Sequence, residues 1–166
     1  CASRQTTAPT MTDDQTTAPS SEISNEEALA RQQALEEQQR QDEADRRQFE
    51  SERNRFVYED IFFARNQYRL DENARREMEW KAAWLLTYPD IKVLIEGHCD
   101  EGGRPEDNLA LGMRRAGEVQ SFFLRRGIAR ERLTAISYGK ERPVATGEGE
   151  EVRAKNRRVR TIIVDE

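Results

Sequence analysis

The chain has 166 residues, of which 36% are hydrophobic, below the roughly 45–50% apolar share of ordinary globular domains, so part of it builds no core of its own. Thirty-two acidic side chains against 27 Lys and Arg leave a net charge of −5, which argues against a polybasic nucleic-acid binder. No stretch approaches the ~18 consecutive apolar residues of a membrane span, and two cysteines, Cys1 and Cys99, make no disulfide framework.

The sequence opens on Cys1-Ala2-Ser3 rather than Met. Two readings stand: a chain numbered from a processed or arbitrary boundary, or a bacterial lipoprotein whose signal peptide is cleaved before an acylated cysteine. Residues 2–23 carry almost no large apolar side chains and repeat Gln-Thr-Thr-Ala-Pro at Gln5 to Pro9 and Gln15 to Pro19. Such a composition cannot bury enough surface to offset chain entropy and predicts a disordered tether over 1–23. Ser24 and Glu27 fit a capping box, and from there to Arg55 the chain has no Gly or Pro and is rich in Glu, Gln, Arg and Ala. Leu29, Leu35, Phe49 and Phe56 keep no heptad, so residues 24–56 are expected to form a polar, solvated helical stalk, with an oligomerising coiled coil as the alternative. Residues 1–56 hold 12 acids and 7 bases, whereas 57–166 hold 20 of each. All the excess charge thus lies ahead of Val57.

From Val57 the pattern is that of a folded domain. Ile61 to Phe63 reads as a short strand, and Asp71 to Leu86 as a helix that starts at an Asp cap and carries Trp80, Ala83, Trp84 and Leu86. Trp80 and Trp84, one turn apart, read as a core-facing stripe rather than a ligand platform. Ile91 to Glu96 alternates as a strand, Asn108 to Arg126 is a helix closed by Gly127, and Leu133 to Tyr138 is a strand. Glu148 to Lys155 is a short helical or turn region, and Val159 to Val164 a final strand. The order βαβαβαβ predicts an α/β sandwich in which helices pack on one side of a mixed four-stranded sheet.

Gly97-His98-Cys99-Asp100-Glu101-Gly102-Gly103, leading into the helix from Asn108, carries the most chemistry. Asp100 ends a strand, the glycines let the backbone turn tightly, and a helix N-terminus follows. Asn108 and Arg115 stand seven residues apart on one helix side. One carboxylate and one guanidinium suit a zwitterionic α-amino-acid head group, Asp100 for the ammonium and Arg115 for the carboxylate. An internal Asp–Arg salt bridge is the competing explanation. His98 and Cys99 point to opposite strand faces and cannot converge on one metal ion, nor does the chain offer a second nearby Cys or His. Cys99 reads as a small core residue, and the arginines at 125, 126, 130 and 132 as a solvated face that an acidic partner could meet.

This stretch, with Ile136-Ser137-Tyr138-Gly139-Lys140-Glu141-Arg142-Pro143 and Asn156-Arg157-Arg158-Val159, resembles the OmpA-like C-terminal domains from Val57 to Val164, and within them the peptidoglycan-associated lipoproteins of Tol–Pal systems. The resemblance implies a non-catalytic domain without cofactor or metal, binding the diaminopimelate of the peptidoglycan stem peptide. It implies Asp100 and Arg115 as the head-group contacts, with Asn108, Asn66, Arg157 and the backbone N–H of Gly102 around them. It further implies TolB-like and TolA-like partners, acylation of Cys1, and an outer-membrane, periplasm-facing location. An adaptor whose main ligand is a TolB-like protein is the alternative. Two positions are distinctive: Ala64, where many relatives carry an acidic residue, and Gly112, which replaces the serine of general OmpA-like domains but agrees with the lipoprotein subgroup.

Overall fold

A computed structural model describes residues 9–10 and 20–164. Cys1, the expected acylation site, and most of the expected tether over 1–23 lie outside the described residues. The chain divides into two compact units, Cys1–Arg47 and Gln48–Glu166.

In the first unit the described structure is helical from Ser20, the first residues of α1 (Ser20–Tyr58). The expected capping box is therefore displaced: the helix already runs through Ser24 and Glu27, because nothing between Pro19 and Ser24 interrupts it. Every described side chain from Ser24 to Arg47 is exposed, Leu29 and Leu35 included. Pairs one turn apart line its surface, Gln32 to Glu36, Gln38 to Asp42 and Gln41 to Asp45, the small stabilisation that a helix without a buried face uses. Among the described residues no helix is long and apolar enough to cross a membrane.

The second unit begins nine residues before the expected boundary at Val57. Phe49 and Phe56, in the last turns of α1, stack around Trp84, and Phe56 is completely buried. The charge division survives the shift: ten acids and five bases precede Gln48, and 22 of each follow. After α1 come β1 (Ile61–Phe62), α2 (Glu72–Thr87), β2 (Lys92–His98), α3 (Pro105–Arg125), β3 (Leu133–Gly139), α4 (Glu150–Asn156) and β4 (Arg158–Val164). The mixed sheet has the order β1-β4-β2-β3, with β2 parallel to β3 and antiparallel to β4, and β4 antiparallel to β1. The expected βαβαβαβ architecture holds.

Asp71 caps α2, accepting the Ala74 N–H at 2.8 Å as the sequence predicts. The opposite end is closed by Arg132, whose guanidinium donates to the carbonyls of Leu85, Tyr88 and Ile91. Arg132 is thus a helix cap and not part of a solvated basic face. Helix α3 starts at Pro105 rather than Asn108, proline being suited to the first helical position because its missing N–H would have no partner there. Phe56, Ile61, Met78, Leu85, Val93, Ile95, Val119, Phe123 and Val159 form one core between the helices and the sheet. Lys81 is buried within it, donating to the Phe56 carbonyl and to Thr161 Oγ1, which ties α2 to the end of α1 and to β4.

Candidate functional site

Helix α3 rides unusually close to β2. A Cβ on Gly97 would lie 1.8 Å from the Gly112 carbonyl oxygen, and one on Gly112 would lie 2.2 Å from Ser137 Oγ. Glycine at both positions permits this approach, and it brings the first turns of α3 beside the end of β2. The glycine at 112 answers the presence of Ser137 across the helix–sheet contact. Cys99 joins the two, its N–H donating to the Gly139 carbonyl and its thiol to the Asn108 carbonyl.

The segment after β2 folds around Asp100. Its Oδ1 accepts the Gly102 N–H at 3.0 Å, and Asn108 Nδ2 donates to the Gly102 carbonyl at 2.7 Å. Gly103 then turns with φ +83°, where a side chain would be strained. The second oxygen of Asp100 accepts from Arg157 Nη1 at 3.3 Å. Arg157 also donates to the Phe63 carbonyl and to Glu150 Oε1. A carboxylate held by one backbone donor and one guanidinium keeps lone pairs for a further donor. Asp100 is therefore positioned by Arg157, not by Arg115.

Arg115 is 1% exposed, and its head group is largely committed to the backbone. Nε donates to the Gln67 carbonyl at 2.8 Å, Nη2 to Ala64 at 3.2 Å and Nη1 to His98 at 3.0 Å, with Cys99 Sγ 3.6 Å from Nη1. These contacts occupy four of the five guanidinium N–H groups. Burial pulls the guanidinium pKa down, opposed by the Cys99 thiol and the Asp100 carboxylate. Ala64 enters through its carbonyl, so the missing acidic side chain does not affect this hold. Residues 64–67 thus form a wall pinned to β2, and Asn66 at its crest takes φ +59°, a conformation asparagine tolerates.

The Cys–His pair that the sequence places side by side does not assemble. His98 faces away from the helices, its Nε2 3.3 Å from Glu96 and its ring stacked on Tyr138. Burial, with Arg158, Arg160 and Arg142 nearby, lowers its pKa to about 4, and burial also raises that of the Cys99 thiol. Among the described residues no cluster of metal-binding side chains occurs.

Asp100, Gly102, Asn108 and Asn66 all line one open cleft of about 550 Å³. Arg115 and Arg157 stand behind its wall, holding the parts. Sequence reasoning missed Arg65, Glu101, Asp107, Leu111 and Arg153, which line the cleft together with Cys99 and Gly103, and Glu150, which braces Arg157. Leu111 and Asp107 had a signal, being one turn from Asn108 and next to it. Arg153 and Glu150 had none, since α4 reaches the site only through the fold. Three carboxylates and two guanidinium groups on the lining suit a ligand carrying both signs.

Residues 62–157 match the OmpA family. A peptidoglycan-associated lipoprotein of Brucella melitensis is 41% identical over 103 residues, which is 62% of this chain and 61% of that protein. The chain therefore spans about three fifths of that relative's length. The crystal structure of the peptidoglycan-associated lipoprotein from Burkholderia pseudomallei superposes with a TM-score of 0.62 at 33% identity, covering 63% of this chain and 89% of that one. The C-terminal domain of Helicobacter pylori MotB shares the fold, with a TM-score of 0.60 at 21% identity over 64% of this chain and 84% of that one. The domain built from β1 to β4, with the Asp100 cleft at the end of β2, makes this chain a member of the OmpA family.

Proposed function

We propose that the cleft binds peptidoglycan non-covalently, through the free α-amino-acid centre of diaminopimelate in the stem peptide. The observation that carries this reading is the Asp100 carboxylate, fixed by Gly102 and Arg157 yet lining an open cleft beside Asn66 and Asn108. In this reading the ligand ammonium docks on the remaining lone pairs of Asp100. Its carboxylate faces the basic side chains at the rim, Arg65 and Arg153, while Arg115 holds the wall behind them. The names of the relatives, peptidoglycan-associated lipoproteins, point the same way. The role is that of a tether without turnover, lipid-anchored at the outer membrane through Cys1 and acting within a Tol–Pal-like system.

The test is co-sedimentation of the full chain with purified sacculi of two chemistries. Wild type is expected to pellet with diaminopimelate-type walls and to be released by free meso-diaminopimelate. Lysine-type walls, which lack the second carboxylate, should retain it at least about tenfold less, as for loss of one charged pair in a desolvated site. Asp100→Asn should lose sedimentation with its unfolding midpoint little changed. Equal retention on both walls, or undiminished binding by Asp100→Asn, would sink the proposal.

A further inference from the structure

A second cleft, of about 580 Å³, lies between residues 68–70, α2 and α3. Its lining shares no residue with the Asp100 cleft. Four arginines converge on it from three elements: Arg69 from the segment, Arg75 from α2, and Arg125 and Arg126 from the end of α3. Among the described residues, Arg126 alone of the four is paired with a carboxylate, that of Glu79, and its guanidinium also stacks over the Phe122 ring at 4.9 Å. Among the described residues, the guanidinium groups of Arg69, Arg75 and Arg125 have no partner, and Glu118 is the single unpaired carboxylate opposite them. The floor is apolar, made of Leu70, Phe122 and the ring of Tyr68.

We propose that this cleft is a second docking site, which takes an acidic segment of a partner protein. Planar guanidinium forks grip carboxylates in two-point contacts, and three of them stand free here around a floor that fits an aliphatic or aromatic side chain. The concave shape does not match a flat lipid surface. Glu79 and Glu118, interspersed among the arginines, weaken the field that a uniformly charged polyanion needs, whereas a peptide of mixed character can place its own charges between them. The site lies off the proposed wall-binding cleft, so both ligands have room on one molecule.

The experiment titrates the full chain into a fluorescein-labelled peptide alternating glutamate with leucine, read by fluorescence anisotropy. The same peptide with lysine for glutamate is the control. The acidic peptide is expected to bind and the lysine peptide not, with affinity falling as salt rises. Arg69→Glu combined with Arg125→Glu should weaken binding at least about tenfold, since like charges then face the peptide. That variant should keep its sacculus sedimentation and unfolding midpoint, which separates this site from the wall-binding reading. Arg75→Gln, on the α2 wall, is the independent check and should weaken binding in the same direction. Absent binding of the acidic peptide, equal binding of the lysine peptide, or unchanged affinity in the variants would each overturn the proposal. So would co-sedimentation of wild type with phosphatidylglycerol vesicles that the variants lose while the peptide does not bind, because the occupant would then be a membrane.

Discussion

The two clefts flanking residues 64–70 are nearly equal in volume, about 550 and 580 Å³, but are built in opposite ways. The first is backed by buried polar groups: Arg115, Arg157 and Asn108 spend their donors on backbone carbonyls, Asp100 and Glu150. The second is backed by Leu70 and Phe122, and its arginines are free at the rim. A carboxylate held by an internal network is preorganised for one head group, whereas free arginines on an apolar floor adapt to a longer, less defined ligand. The wall of the first cleft, residues 64–67, is fixed by Arg115.

The largest effect is expected from Arg115→Ala. It removes the guanidinium donor from the carbonyls of Gln67, His98 and Ala64, of which Ala64 keeps only the Gln67 N–H, and opens a cavity behind the wall. Each buried carbonyl left without a donor costs about 1–3 kcal/mol, and the cavity adds to that. Urea denaturation should show that loss, and the ligand of the first cleft should weaken because residues 64–67 form its wall. Arg115→Lys should not restore stability, since one ammonium cannot span three carbonyls as the planar fork does. Wild-type stability in Arg115→Ala would mean that the wall is held by something else.

Next in size is the anchoring of α2, which supplies Arg75 and Glu79 to the second cleft. Burial lowers the Lys81 pKa from 10.5 to about 8, against the pull of Glu77, Asp60 and Glu59. The unfolded chain therefore binds this proton more tightly than the folded one. Between roughly pH 8 and 10.5 the group contributes stability that rises with pH, by roughly 3 kcal/mol in full, and below pH 8 the cost of burying the charge is constant. Lys81→Met should flatten that slope relative to wild type, with Thr161 Oγ1 still donating to the Phe56 carbonyl. Parallel stability–pH curves for the two proteins would refute the assignment.

A smaller effect is expected from Gly112→Ser, which restores the serine of general OmpA-like domains. The new Cβ would meet Ser137 Oγ at 2.2 Å and the Gly97 carbonyl at 3.1 Å, and Ser137 Oγ already accepts the Gly139 N–H. Overpacking of this kind costs about 1–3 kcal/mol. Adding Ser137→Gly should recover part of it, and the coupling in that double-mutant cycle measures how close α3 sits to the sheet. Strict additivity would contradict the packing.

The sheet and its helices were legible from alternation, caps and glycine stops, and Asp71, Gly127 and the β2 strand stand where the pattern placed them. The end of α1 was not, because two phenylalanines seven residues apart in a polar helix make no periodic stripe. Only the tertiary partner, Trp84, reveals that Phe49 and Phe56 face a core. In the first cleft, Asp100, Asn108 and Gly102 were legible because they are close in sequence. The division of labour between Arg115 and Arg157 was not, since which arginine reaches Asp100 depends on how β4 meets β1. The second cleft was visible only as arginines at 125 and 126, with Arg69 and Arg75 joining them through the fold.

The gentlest test of the contrast is Arg69→Ala. Its guanidinium has no partner among the described residues and lies at the rim of the second cleft, so its removal leaves no orphaned group and no cavity. Exposed substitutions of that sort change stability by about 0.5 kcal/mol or less. The thermal midpoint and sacculus sedimentation should both stay at wild-type values, although Arg69 is only two residues from Gln67, whose carbonyl Arg115 holds. A loss beyond about 1 kcal/mol, well above that surface range, would show that the rim arginines are tied into the fold like those of the first cleft. The two clefts would then be one network, and the free charge that distinguishes the second would be gone.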